Sequence, residues 1–144
     1  MESTEQILFL GLGYIGLPTA AVAASKGLQV IGVDIDPQVV DTVNRGEIHI
    51  VEPGLREVVR EVVRAGRFRA ATKPVASGVY LIVVPTPFKG NHEPDVSYVE
   101  AATRSVVPLL KAGDLFIIES TSPVGTTDRM ARLIFSERPE LEGQ

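Results

Sequence analysis

The sequence contains no cysteine. Disulfides, thiolate metal sites and thiol nucleophiles are therefore excluded within its 144 residues. It has only two histidines, His49 and His92, far apart and without ligand-like spacing, so no metal site is expected. No stretch reaches the roughly 18 consecutive apolar residues that a membrane-crossing helix needs. A basic surplus is missing too. The net charge is -4, with acids and bases mixed along the chain, which argues against a nucleic-acid-binding face. The start, Met1 to Gln6, is polar and acidic. It lacks the basic and apolar regions of a signal peptide, so a cytoplasmic location is expected. Neither an internal repeat nor a low-complexity tract is visible.

What the chain does have is 44% hydrophobic residues, arranged in short runs. Length and composition suit one domain with one core. Apolar strand-like runs at Ile7 to Leu10, Gln29 to Val33, Val79 to Val84 and Leu115 to Ile118 alternate with helical segments, and the last two runs are expected to be buried strands. Phe68 to Thr72 adds a short strand. The helices are expected at Ile15 to Lys26, Pro37 to Asn44, Leu55 to Ala65, Val96 to Leu110 and Thr126 to Phe135. Asp36 is placed to cap the second, with Pro37 in its first turn. Leu55, Val58, Val59, Val62 and Val63 recur at helical spacing, with Arg and Glu between them. Pro85 to Asp95, with three prolines and a glycine, is expected to be a loop. The pattern predicts an α/β fold: a single-domain, Rossmann-type, doubly wound parallel sheet with helices on both faces.

Gly11-Leu12-Gly13-Tyr14-Ile15-Gly16 is a G-x-G-x-x-G motif. Alone it is weak; between a strand and a helix it is the phosphate-binding turn of dinucleotide sites. Gly11 permits the tight turn, Gly13 lets backbone approach a pyrophosphate, and Gly16 lets helix pack on strand. Asp34 ends the second strand about twenty residues on, where a carboxylate accepts from the adenosine ribose hydroxyls. No arginine lies in Val33 to Pro37 to hold a 2′-phosphate, so NAD is expected rather than NADP. Asp36 is the alternative ribose ligand. An S-adenosylmethionine-dependent methyltransferase is a competing reading, disfavoured by the third glycine. Ligands of such sheets sit beyond the carboxyl ends of the strands. There, Thr86 and Thr121 read as functional, while Ser122 and Thr126 read as turn and cap residues.

The chain resembles the UDP-glucose/GDP-mannose dehydrogenase family. The resemblance is carried by Gly11 to Ala20, Gly32 to Asp36, Asn44 to Ile48, Glu52 to Leu55, Val84 to Pro87 and Glu119 to Thr121. Gly46 to Pro53 and Pro85 to Asp95 are similar to the branch acting on UDP-N-acetyl-D-mannosamine. The resemblance implies oxidation of the sugar C6 alcohol to a carboxylate with two NAD. UDP-glucose and GDP-mannose are the alternative substrates, and a non-catalytic nucleotide-binding module is the alternative role. It implies that Tyr14, Ile15, Thr86 and Thr127 contact NAD, and that Thr121 supports catalysis by placing water and cofactor. It further implies a cysteine nucleophile, a dimerising region and a nucleotide-sugar domain downstream. Residues 1–135 are thus expected to be the NAD-binding domain and 136–144 a polar tail leading toward those parts. The fragment alone is expected to be inactive, and the whole protein a homo-oligomer without membrane or nucleic-acid partners.

Overall fold

A computed structural model describes residues 5–144 of the chain. The elements, in chain order, are β1 (Gln6–Leu10), α1 (Gly16–Ser25), β2 (Gln29–Val33), α2 (Pro37–Asn44), α3 (Leu55–Arg64), β3 (Phe68–Ala71), β4 (Val79–Ile82), β5 (Phe88–Lys89), β6 (Glu93–Pro94), α4 (Ser97–Val106), β7 (Leu115–Ile118) and α5 (Thr126–Glu137). The reading of the first residues as free of a signal peptide falls partly on 1–4, which lie outside the described residues. Among the described residues, no helix is long and apolar enough to cross a membrane.

Five strands form one sheet in the order β3-β2-β1-β4-β7, and every pair is parallel. Strand side chains alternate between faces, and the alternation builds two cores. Phe9 and Val30 point into one, with Leu17, Ala20 and Ala24 of α1, Val40 and Val43 of α2, and Val59 and Val62 of α3. Leu8, Leu10, Ile31, Tyr80 and Ile82 point into the other, against Val99 and Val106 of α4 and Met130 and Ile134 of α5. Helices thus cover both faces, as the alternation of elements in the sequence predicts. β1 and β4 are neighbours although β2 and β3 intervene in the chain. The strand order therefore reverses beside β1, and a crevice opens there at the carboxyl ends of the strands.

Local chemistry sets the boundaries. Gly11 carries a φ of 107°, and an added Cβ would stand 2.2 Å from the Val83 carbonyl oxygen. Asp36 caps α2, accepting from the Gln38 N–H at 2.9 Å. Asn44 closes the outer edge of β3: its side chain donates to the Ala70 carbonyl at 3.0 Å and accepts the Ala70 N–H at 2.8 Å.

Four expectations are corrected. Pro85 to Asp95 is not a plain loop: Phe88–Lys89 and Glu93–Pro94 pair antiparallel as a small exposed hairpin. Its turn holds Gly90 and His92 at positive φ. The helix over Val96 to Leu110 stops at Val106 and tightens to a 3-10 turn over Val107–Leu109, because Pro108 has no N–H to continue the α pattern. β7 is not buried on both sides. It forms an edge among the described strands, and Leu115 is 54% exposed. The last helix runs to Glu137, and Pro139–Leu141 form a further 3-10 turn in the stretch read as a featureless tail.

Candidate dinucleotide site

The glycine turn leads from β1 into α1, and α1 begins without a side-chain cap. Ile15 occupies the cap position, makes no capping hydrogen bond, and no acid lies in the first turn. This contrasts with α2, whose first turn Asp36 satisfies. The N–H groups of Gly13, Tyr14 and Ile15 meet no protein acceptor among the described residues. A helix start left with open donors is an anion site in waiting, reinforced by the helix dipole.

The three motif glycines have different causes. An alanine Cβ at Gly16 would stand 1.9 Å from the Gly11 carbonyl oxygen, so packing of α1 on the turn demands glycine there. At Gly13 an added Cβ meets nothing within 4 Å, and φ lies outside the left-handed range. Neither backbone nor packing requires glycine at this position. What its missing side chain leaves is open space at a turn whose N–H groups are free.

Asp34 follows β2 and faces the same turn. Its Oδ2 accepts the Leu12 N–H at 3.1 Å and its Oδ1 accepts the Asp36 N–H at 3.0 Å. Two bonds fix the carboxylate and leave lone pairs for further donors, since an ionised carboxylate accepts about four. Asp36 spends its carboxylate on the α2 cap. Of the two acids weighed as ribose ligands, Asp34 is the one lining the crevice.

Two cavities flank the Gly11–Asp34 ridge. One, of about 340 Å³, is lined by the turn residues Gly11 to Ile15, by Asp34, by Val84, Pro85 and Thr86 after β4, and by Glu119, Ser120 and Thr121 after β7. The second, of about 330 Å³, lies on the far side of Asp34, between Ile35, Thr72, Pro74 and the α4 residues Tyr98 and Ala101. It is mainly apolar. Ile35 is 87% exposed at its mouth, a bare apolar surface suited to a flat ring. Sequence reasoning missed this second cavity, because Thr72, Pro74 and Tyr98 carry no motif and meet Ile35 only through the sheet. An exposed isoleucine directly after the acid was the available signal. Among the described residues, no lysine or arginine lines either cavity.

The structure gathers Gly11, Gly13, Tyr14, Ile15, Asp34, Thr86 and Thr121 around one crevice. Gly16 lies buried just behind it. Thr127 is elsewhere: it lines a separate hollow between β7 and α5, with Phe116 and Ala131. Thr126 is buried and donates to the Pro123 carbonyl at 2.8 Å, the structural role expected of it. His49 and His92 are both exposed, and the His92 ring meets Phe88 edge-on.

Strand order, uncapped helix start and placed carboxylate define a dinucleotide-binding domain of the Rossmann class. The chain belongs to the UDP-glucose/GDP-mannose dehydrogenase family, whose NAD binding domain matches residues 5–144. It is 61% identical over 139 residues to the UDP-N-acetyl-D-mannosamine dehydrogenase of Escherichia coli K12, covering 96% of this chain and 33% of that protein. It is 54% identical over 135 residues to the NDP-N-acetyl-D-galactosaminuronic acid dehydrogenase of Ralstonia nicotianae, covering 94% and 32%. Among solved structures it superimposes on the UDP-D-ManNAc dehydrogenase of Pyrococcus horikoshii with a TM-score of 0.91 and 43% identity, over 96% of this chain and 34% of that one. The chain spans about a third of the length of the curated relatives it matches.

Proposed function

We propose that this chain is the NAD-binding portion of a nucleotide-sugar 6-dehydrogenase that oxidises UDP-N-acetyl-D-mannosamine to the corresponding uronate. The observation that carries the cofactor reading is the open space at Gly13, in a turn with unpartnered N–H groups. A pyrophosphate fits there and gives the glycine a reason. Asp34 holds the adenosine ribose hydroxyls, and the apolar cavity beside Ile35 takes the adenine. Tyr14, Ile15, Thr86 and Thr121 border the nicotinamide end. Thr127 has no part in this arrangement, because it lines the other hollow. When bound, NAD supplies the hydride acceptor for both oxidation steps. The chain's own residues bind and orient it, and Thr121 holds water at the rim.

The substrate reading rests on the 61% identity to a relative of that name. The Ralstonia relative, at 54% identity, supports a second reading in which the sugar is an N-acetylated galactosamine derivative. Residues 1–135 form the cofactor domain in this proposal, and 136–144 lead toward the substrate-binding parts of a cytoplasmic homo-oligomer. An enzyme containing this chain is expected to show a higher kcat/KM for UDP-N-acetyl-D-mannosamine than for UDP-glucose, GDP-mannose or an N-acetylgalactosamine nucleotide. A preference for any of the other three, measured by NADH absorbance, overturns the substrate assignment and leaves the cofactor site standing.

Cofactor choice has its own test. Asp34→Asn removes the charge that repels a 2′-phosphate and weakens the acceptor for the ribose hydroxyls. NAD affinity is expected to fall about tenfold, on the order of 1.4 kcal/mol, and the gap to NADP to narrow. If the variant keeps full NAD affinity, Asp34 is not the ribose ligand.

A further inference from the structure

The two polar loops of the crevice are joined through one side chain. In the parallel register Ile82 of β4 pairs with Ile118 of β7, so two residues later Val84 stands opposite Ser120. The backbone ladder does not extend that far. The N–H groups of Glu119 and Ser120 both turn to the Ile82 carbonyl, at 2.9 and 3.1 Å. The Ser120 hydroxyl continues the ladder instead. Its Oγ accepts the Val84 N–H at 2.9 Å and donates to the Val84 carbonyl at 2.9 Å. The Ile82 carbonyl lies slightly farther from the same oxygen, at 3.3 Å.

A hydroxyl has one proton to donate, so one donated and one accepted bond satisfy both backbone groups of Val84. The loop that follows has few other anchors. Pro85 and Pro87 contribute no N–H. The next main-chain tie is at the far end, where the Asp95 N–H donates to the Pro87 carbonyl at 2.7 Å. Thr86 lies between these two points, and Thr121 follows Ser120 directly. The Ser120–Val84 pair is thus where the spacing between the Thr86 loop and the Thr121 loop is fixed.

We propose that Ser120 is a positioning residue for the nicotinamide half of the cofactor. It acts through the Val84 backbone and not by touching the ligand, since its hydroxyl is engaged by Val84. The inference rests on the NAD reading above. Without the hydroxyl, the Val84 N–H and carbonyl lose their partner and the Thr86 loop is free to move away from Thr121. The adenosine half, held by Asp34 and the glycine turn, keeps its own contacts.

The test is calorimetric titration of the chain and of Ser120→Ala and Ser120→Thr with NAD and, separately, with ADP, which lacks the nicotinamide half. Ser120→Ala is expected to weaken NAD about fivefold, the worth of roughly one hydrogen bond, while ADP stays within about twofold. Ser120→Thr, which keeps the hydroxyl, is expected to restore NAD binding. Unchanged NAD affinity in Ser120→Ala overturns the proposal. So does an equal loss for NAD and ADP, which marks a general scaffold role, or a threonine variant as weak as the alanine one. A parent chain that binds neither ligand overturns the cofactor reading itself and the proposal with it. Amide hydrogen exchange in the unsubstituted chain gives a check independent of variant folding: the Val84 amide is expected to be protected, and fast exchange there contradicts the proposal.

Discussion

Replacing Gly16 by alanine is expected to lower the melting temperature by about 10 °C, whereas replacing Gly13 by alanine leaves it unchanged or slightly raised and weakens NAD binding. At Gly16 the new methyl must enter space held by the Gly11 carbonyl oxygen, 1.9 Å away, in backbone that cannot swing aside. Overpacking of this kind costs about 3 kcal/mol, and each kcal/mol is worth about 3 °C in a domain of this size. At Gly13 the methyl meets no protein atom, and the backbone is one that alanine adopts. Fewer accessible unfolded states give a small gain of about 0.5 kcal/mol. The same methyl stands where the pyrophosphate must approach, so NAD affinity falls by at least about tenfold. Thermal melts and titrations of both variants measure the two effects separately. If Gly13→Ala unfolds the chain, the glycine has a structural cause; if it binds NAD normally, the pyrophosphate does not approach there.

The second large effect is an absence of turnover. Mixed with NAD and UDP-N-acetyl-D-mannosamine, this 144-residue chain is expected to produce no sustained NADH signal. The family resemblance implies a cysteine that traps the aldehyde as a thiohemiacetal, so that the second oxidation can proceed. The chain has no cysteine. In the proposed arrangement Thr121 supports the reaction by holding water and does not take the place of the thiol. Holding the sugar against the nicotinamide also needs a surface outside this crevice. Loss of such positioning alone forfeits an effective concentration on the order of 10⁵ M. NADH absorbance followed over many equivalents of NAD is the measurement. Steady conversion to the uronate would falsify the division of labour proposed for these residues.

The sheet was legible because its rules are local. β1, β2 and β4 are short apolar runs ended by glycine, an acid or proline, and the glycine turn announces the link from β1 to α1. Asp34 was legible because its spacing from the turn follows from one strand–helix–strand unit. Three features were not. The hairpin over Phe88 to Pro94 is too short and polar to carry a periodic signal, and its prolines read as loop. β7 reads as a buried strand because its residues are apolar, but exposure depends on what pairs beside it, which composition does not encode. The cavity beside Ile35 draws on Thr72 and Tyr98, which meet only after the sheet brings β3 and α4 together. Where Thr127 sits was not legible either. It lies six residues beyond Thr121, and in the first turn of α5 it lines a different hollow.

In the proposed arrangement the crevice between β1 and β4 binds NAD through the glycine turn and Asp34, and rejects a 2′-phosphate. Parallel calorimetric titrations of the unsubstituted chain with NAD and NADP test it directly. One NAD site per chain is expected, with NADP at least about tenfold weaker, a difference of about 1.4 kcal/mol. NADP bound as tightly as NAD, or no binding of either, would contradict it.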